Sequence, residues 1–329
     1  MSTIGRHHMT PGVSVIIPTY NRRGFLGQAI QSCFAGNDAL DVEVIVVDDG
    51  STDGTRDYLR SLAEGDERVR PVFQEHHGAQ VARNRGLSEA QGAFIKFLDS
   101  DDRLIEGALV TEIEALRTSE AAISYGSLQV READGEEWTF QQSEDVDLIS
   151  GIFEGSIWTY PHVFSYRRQA IRDLEWDPSI PYEQDKSFAV QVASLGLPVT
   201  RIDQPVALLC RHKGERISTT VKSEATNKER FLRRIDLIED GIQQLRERSL
   251  LEPHHIEAAA RGMWRWAYMM AVYDFSEFEQ CYSRIKRIAP DFRPSRSNTL
   301  LTKLDRWGSP RITERLIYPV RKVKHALSG

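Results

Sequence analysis

Residues 42–54 read Val42-Glu43-Val44-Ile45-Val46-Val47-Asp48-Asp49-Gly50-Ser51-Thr52-Asp53-Gly54. A short, β-branched apolar run that stops at a Gly- and Asp-rich turn is the pattern of a buried strand. The neighbouring sequence repeats this plan. Residues 13–17 form an earlier run, ended by Pro18 and followed by Thr19, Tyr20, Asn21 and Arg22. Residues 69–73 form a third, and residues 93–98 a fourth that runs into Asp99-Ser100-Asp101-Asp102. Helical spacing separates them. Phe25, Leu26, Ala29, Ile30, Cys33 and Phe34 follow Asn21, which can cap that helix. Tyr58, Leu59 and Leu62 mark a second helix, and residues 78–90 a third. Alternating β and α units of this size predict an α/β fold with a mostly parallel, Rossmann-like sheet flanked by helices. Ligands in such sheets bind outside the carboxyl ends of the strands. The clusters at 18–22, 48–54 and 99–102 each follow a strand.

Bulk properties narrow the classes. The chain has 329 residues, of which 40% are hydrophobic and 27% charged, enough apolar material for a real core. A net charge of -6 gives no general attraction to nucleic acid. Cys33, Cys210 and Cys281 make neither a CxxC nor a zinc spacing, so a reducing compartment fits better than a disulfide framework. The first residues lack the apolar core of a signal peptide, and no apolar run is long enough to span a bilayer. The expectation is a soluble, cytoplasmic protein. Its domains are expected to be a catalytic domain over 1–220, with a nucleotide-binding half at 12–102 and an acceptor half at 103–220, and a helical region with a basic tail over 221–329. In that region residues 231–248, 256–273 and 275–288 show helical stripes, the last ended by Pro290. Trp264, Trp266, Met269 and Met270 read as helical core.

The acidic cluster carries the chemistry. Three carboxylates in four residues, Asp99, Asp101 and Asp102, repel one another unless a cation or hydrogen-bond donors neutralise them. Oxygen ligands of this kind suit Mg²⁺ or Mn²⁺ held between carboxylates and substrate phosphates. An Asx-turn capping the following segment is the plain structural alternative.

Four motifs in order point to a family. Residues 13–22 (VSVIIPTYNR), 44–54 (VIVVDDGSTDG), 82–86 (ARNRG) and 97–102 (FLDSDD) resemble the successive signatures of family 2 glycosyltransferases, with matching order and separations. The likeness continues, more weakly, to about Thr220. It implies a GT-A fold, a nucleotide-sugar donor (UDP-linked by default), a divalent metal, and transfer to a saccharide or glycoconjugate hydroxyl with inversion, in polysaccharide or glycoconjugate synthesis. Residue by residue it implies that Pro18, Thr19, Tyr20 and Arg22 line the nucleotide pocket, Tyr20 stacking on the base and Arg22 offsetting phosphate charge. Asp49 would accept from the base or ribose while Asp48 holds the turn. Arg83 would face the diphosphate, or be a helix-surface residue. Asp99 and Ser100 would approach the ribose or a metal-bound water, and Asp101 would ligate the metal, with His212 as a third metal or diphosphate contact or else a lone surface histidine. Asp185 would be the general base, because it precedes Gly196 by the interval the family shows. Gln184 stands where the family has Glu, so Glu183 competes for the role. His76-His77-Gly78 departs from the family's Asn-x-Gly, and neither histidine receives a function. Trp158, Tyr160 and His162 fall where acceptor contacts occur, or are core.

Other classes fit less well. A dinucleotide oxidoreductase needs GxGxxG after the first strand, and a sugar-phosphate nucleotidyltransferase needs a Gly-rich basic loop there. Neither is present. A non-catalytic sugar-nucleotide-binding protein would lose the base. Donor, acceptor and linkage are read by loops between Ser119 and Pro181 that carry no decodable signature. The tail, residues 303–324, holds seven Lys or Arg against Asp305 and Glu314. Leu316, Ile317, Val320 and Val323 are interleaved with Arg315, Arg321, Lys322 and Lys324. It reads as a solvated or docked helix, or as a peripheral contact with the inner face of a membrane, with Pro319 expected to break it near its middle. The C-terminal helices also offer a surface for self-association.

Overall fold

The computed structural model describes residues 12–212, 224–295 and 310–328. The chain divides into two compact units, one of Met1–Glu144, Trp158–Phe188 and Leu197–Gly214, the other of Asp145–Ile157, Ala189–Gly196 and Glu215–Gly329.

The first unit opens with the expected alternation: β1 (Val13–Thr19), α1 (Arg23–Ser32), β2 (Val42–Asp49), α2 (Thr55–Gly65), β3 (Val69–Gln74), α3 (Ala79–Glu89) and β4 (Phe94–Phe97). It continues with β5 (Arg103–Leu104), α4 (Ala108–Arg117), β6 (Ile123–Arg131) and β7 (Glu137–Phe140). The segment α5 (Leu148–Glu154) belongs to the second unit, after which β8 (Phe164–Arg167), α6 (Arg168–Ile171), the start of α7 (Gln184–Ala193) and β9 (Val199–Cys210) complete the first. The sheet order is β3-β2-β1-β4-β8-β6-β9-β5, with β7 on β6. Only part of it is parallel. Strands β3, β2, β1 and β4 run parallel, as does β6 with β9, whereas β4–β8, β6–β8, β6–β7 and β5–β9 are antiparallel. The periodic βα units, which alone carry a sequence signal for crossovers, stop after β4.

Strands β1 and β2 are buried along their whole length because both sheet faces are covered. Register places Thr19 beside Asp48 and Asp49 beside Gln74, so the turns after β1, β2 and β3 emerge at one sheet edge. Close packing of α3 requires Gly86, where a Cβ would stand 2.3 Å from Ile16 Cγ2. Asn21 does not cap α1. It adopts φ 51° and bridges two turns instead, its amide nitrogen donating to Ser51 Oγ and its Oδ1 accepting from Thr52 N. Asp53 takes the capping role by accepting from Arg23 N at 3.1 Å. The left-handed conformation, which Asn tolerates, turns its side chain away from its own helix.

The second unit is helical: α5, α8 (Glu224–Glu247), α9 (Pro253–Tyr273), α10 (Phe275–Ile288) and α11 (Pro310–Ser328). Helix α9 lies close to α5 through Gly262, where a Cβ would meet the Phe153 carbonyl oxygen at 2.0 Å. Trp264, Trp266 and Met270 are buried as core, but Met269 is 41% exposed. One residue before Met270, it lies about 100° round the helix and off the packed stripe. Helix α11 runs through Pro319 without stopping there. Proline removes one donor and strains one turn, which bends a helix more readily than it ends it. Arg311 pairs with Glu279 at 2.7 Å and Tyr318 packs on Phe275, so the first half of α11 docks on α10. Ile312 and Leu316 remain exposed. Residues 303–309 and the side chains of Val320, Arg321, Lys322, Val323 and Lys324 lie outside the described residues. Cys33, Cys210 and Cys281 form no disulfide.

Candidate active site

The site residues lie in the first unit, on the turns that follow β1, β2, β3 and β4 and on the segments that meet them. Asp48, 0% exposed, accepts from Ser51 N and from Arg56 Nε at 2.7 Å and so holds the DDGS turn. Asp49 is more heavily engaged. Its oxygens accept from Gln74 Nε2 at 2.7 Å, His77 N at 2.9 Å and Gly78 N at 2.8 Å, and His76 Nδ1 stands 2.8 Å away. A carboxylate has about four acceptor positions, so a base or ribose contact at Asp49 would displace one of these partners. The His76 side chain is 56% exposed and is the easiest to move.

His76 is the residue the sequence left without a role. Its ring stacks on Tyr20 with centroids 4.0 Å apart and planes 24° from parallel, while Tyr20 is 42% exposed. The pair forms an exposed aromatic platform beside Asp49, suited to a planar heterocycle. The sequence signal was its offset after β3, read only as a departure from Asn-x-Gly. Pro18 and Thr19 are strand residues of β1, and Thr19 is buried. Arg22 occupies the N-cap position of α1, just past Tyr20.

At the centre of the site stands Arg83, its side chain 6% exposed. Its Nη2 donates to Asp99 Oδ1 at 2.6 Å and lies 3.8 Å from Asp185 Oδ1. The guanidinium sits 4.4 Å over the Trp176 ring, which stacks on Phe188 at 4.3 Å. A helix-surface role for Arg83 is thereby excluded. Burial costs a cation heavily unless carboxylates surround it, and two do. These contacts bring three sequence-predicted residues together: Arg83, Asp99 and Asp185. Asp185 lies in the first turn of α7, and Glu183, just before the helix, has φ 62°. Desolvation pushes the Asp185 carboxyl up to about 7; Arg83 opposes the shift, and Asp99 and Glu183 add to it.

Asp101 Oδ2 lies 2.9 Å from His212 Nε2, and His212 stacks on Phe25 at 4.6 Å. The structure thus joins the acidic turn after β4 to the residue two past β9. Asp102 is 2% exposed and accepts from Cys210 N at 2.8 Å, which ties the same two segments. Ser100 is buried in the turn. A divalent ion fits this donor set. Carboxylate oxygens and an imidazole nitrogen are ligands such an ion takes, while among the described residues Arg83 pairs with Asp99 and Lys96 is bound to Glu112 at 2.6 Å. Trp158 and Tyr160 are half-buried neighbours with centroids 5.8 Å apart, Trp158 also stacking on Phe140 at 3.9 Å. The rest of the basic segment, residues 213–220, lies outside the described residues.

Residues 14–195 match the family model for glycosyl transferase family 2. The chain belongs to that family. Among curated members, it is 40% identical over 126 residues to the putative teichuronic acid biosynthesis glycosyltransferase TuaG of Bacillus subtilis, covering 38% of this chain and 50% of TuaG. The chain spans about half the length of the curated relatives it matches first. Among solved structures, it resembles Staphylococcus aureus TarS 1-349 in complex with UDP, with a TM-score of 0.62 and 16% identity over 96% of this chain and 92% of TarS. It also resembles the mannosyltransferase PcManGT of Pyrobaculum calidifontis in complex with GDP-Man and Mn²⁺, with a TM-score of 0.50 and 16% identity over 96% and 88% of the two chains. At such identities these likenesses speak for the fold, a GT-A-type sheet flanked by helices. Among the described residues no helix is long and apolar enough to cross a membrane.

Proposed function

We propose that the family 2 chain transfers a sugar from a UDP-linked donor to a hydroxyl of a saccharide or glycoconjugate, with inversion at the anomeric carbon. The observation that carries this is the Asp99–Arg83–Asp185 array, a carboxylate raised towards neutrality and coupled through one buried guanidinium to the acidic turn. Asp185 takes the proton of the acceptor hydroxyl as its oxygen bonds to the anomeric carbon. The bond from that carbon to the diphosphate oxygen breaks, and the nucleoside diphosphate leaves with the electron pair. A base poised near neutral pH is suited to this transfer. Arg83 orients Asp185 and offers positive charge towards the diphosphate. Tyr20 and His76 carry the base, and Asp49, Arg22, Thr19 and Pro18 shape the pocket around it. Asp101 and His212 would hold a divalent ion, which when bound draws charge from the leaving diphosphate. The aromatic residues Trp158 and Tyr160 suit an acceptor sugar. TuaG's teichuronic acid biosynthesis and TarS's bound UDP support a role in cell-surface polysaccharide assembly and a UDP donor.

The test is nucleotide release from a panel of UDP- and GDP-sugars with Mn²⁺ present. Asp185→Asn keeps the shape but cannot take a proton, so release should fall by about 10²–10⁴-fold while UDP binding persists. Greater damage from Glu183→Gln would move the base two residues. UDP-sugar binding without turnover in the wild type, with any acceptor mixture, would leave a binding protein.

A further inference from the structure

Trp176 lies between α6 and α7, in a stretch without regular secondary structure, yet it is only 2% exposed. One side chain holds both of its backbone polar groups. Asn84 Oδ1 accepts from Trp176 N at 2.8 Å, and Asn84 Nδ2 donates to Trp176 O at 2.8 Å. One turn earlier in α3, Gln80 Nε2 donates to the Ile180 carbonyl oxygen at 2.7 Å. The stretch thus takes its backbone partners from the helix that carries Arg83.

The Trp176 ring touches all three segments of the charged array. The Arg83 guanidinium stands 4.4 Å over it. Phe97, two residues before Asp99, meets it edge-on, with centroids 5.3 Å apart and planes at 77°. Phe188, just under one helical turn after Asp185, stacks on it at 4.3 Å with planes 4° apart. One aromatic side chain therefore contacts the cation and a near neighbour of each of its carboxylate partners.

Unpaired polar atoms meet at this contact. Arg83 Nε and Nη1 and Trp176 Nε1 are buried with no hydrogen-bond partner among the described residues. Buried polar atoms are satisfied in the great majority of cases, and an exception asks for an explanation. The electron-rich face of a ring attracts a desolvated cation, and indole offers the strongest such face. That attraction compensates a guanidinium short of acceptors. It also offsets the unpaired indole N–H, a cost that a phenylalanine in the same space would not incur.

We propose that Trp176 is a positioning residue whose ring holds the Arg83 guanidinium in place between Asp99 and Asp185. Its consequence for rate rests on the transfer reading above, with Asp185 as base. Its consequence for the Arg83 side chain does not.

The test reads the two consequences separately in the full chain. With isotope-labelled arginine, the Arg83 Nε–H resonance, assigned by its loss in Arg83→Lys, should exchange slowly with solvent and be shifted by the ring beneath it. Tetrafluorotryptophan placed at position 176 keeps the shape of the indole but withdraws electron density from its face. It should speed that exchange and lower kcat for UDP release about tenfold or more, while the acceptor KM changes less than about threefold. Trp176→Phe, with a weaker face, should fall between wild type and Trp176→Leu in both readouts. Melting temperature checks folding, and the fluorinated side chain, which opens no cavity, decides the matter if the leucine variant does not fold. An Arg83 signal or a kcat that fluorination leaves unchanged would overturn the proposal. If the wild type turns over no UDP-sugar, the transfer reading falls, and the Arg83 signal alone decides whether Trp176 fixes the guanidinium.

Discussion

Replacing Arg83 with Met removes the cation between Asp99 and Asp185 and should move the acid limb of the pH–rate profile upward. The magnitude follows from the 3.8 Å separation between Arg83 Nη2 and Asp185 Oδ1. An ion pair at that spacing is worth about 4 kcal/mol at an effective dielectric near 20 and about 1 kcal/mol in bulk water. With 35% of the Asp185 side chain open to solvent, an intermediate value applies, equivalent to roughly one to two pKa units. The sign is fixed: the cation favours the ionised carboxylate, so its loss raises a pKa that already stands at about 7. The base works deprotonated. Wild-type activity should therefore rise with pH through about 7, and that of Arg83→Met through a higher value. Assayed as UDP release from a UDP-sugar, the ratio of wild-type to variant rate should be about tenfold or more larger at low pH than on the alkaline plateau. Where Arg83 also binds the diphosphate, its removal lowers the whole profile without moving the limb, which separates the two roles. Arg83→Lys keeps a cation and should leave the limb close to that of the wild type. A limb that stays put in Arg83→Met, or moves to lower pH, would refute the coupling.

Three further outcomes are expected. Chelation should abolish nucleotide release and Mn²⁺ restore it, and Asp101→Ala should lose several orders of magnitude; full activity in excess EDTA would contradict this. Gly262→Ala in α9 places a methyl 2.0 Å from the Phe153 carbonyl oxygen, so thermal unfolding should show a loss of about 1–3 kcal/mol or more, and an unchanged melting temperature would mean that α5 and α9 shift freely. Flotation with anionic liposomes at low salt should recover the full chain but less of a chain lacking residues 303–329, because each Lys or Arg near such a surface contributes about 1 kcal/mol; equal recovery would leave α11 as a docked helix only.

The strands and helices as far as β4 were legible because each announces itself locally: an apolar run of strand length, a polar turn, then a 3.6-residue stripe. The clusters at the strand ends were legible for the same reason, and the order of four motifs was enough to point to the family. What the sequence left open was settled by contacts distant along the chain. Arg83 could be exposed or buried until packing against Trp176, with Asp99 and Asp185 around it, decided. His76 carried only its offset after β3 as a signal, and stacking on Tyr20 and contact with Asp49 gave it a place. Asn21 has the chemistry of a helix cap, yet a neighbouring turn offered its side chain a better partner. The antiparallel half of the sheet was hidden because an edge-to-edge pairing such as β4 with β8 joins segments about 70 residues apart, and no periodicity within either strand records its partner's direction. Residue types and local spacing follow from the sequence. Which charges share a desolvated space depends on the closed fold, because burial and mutual distance set their energies.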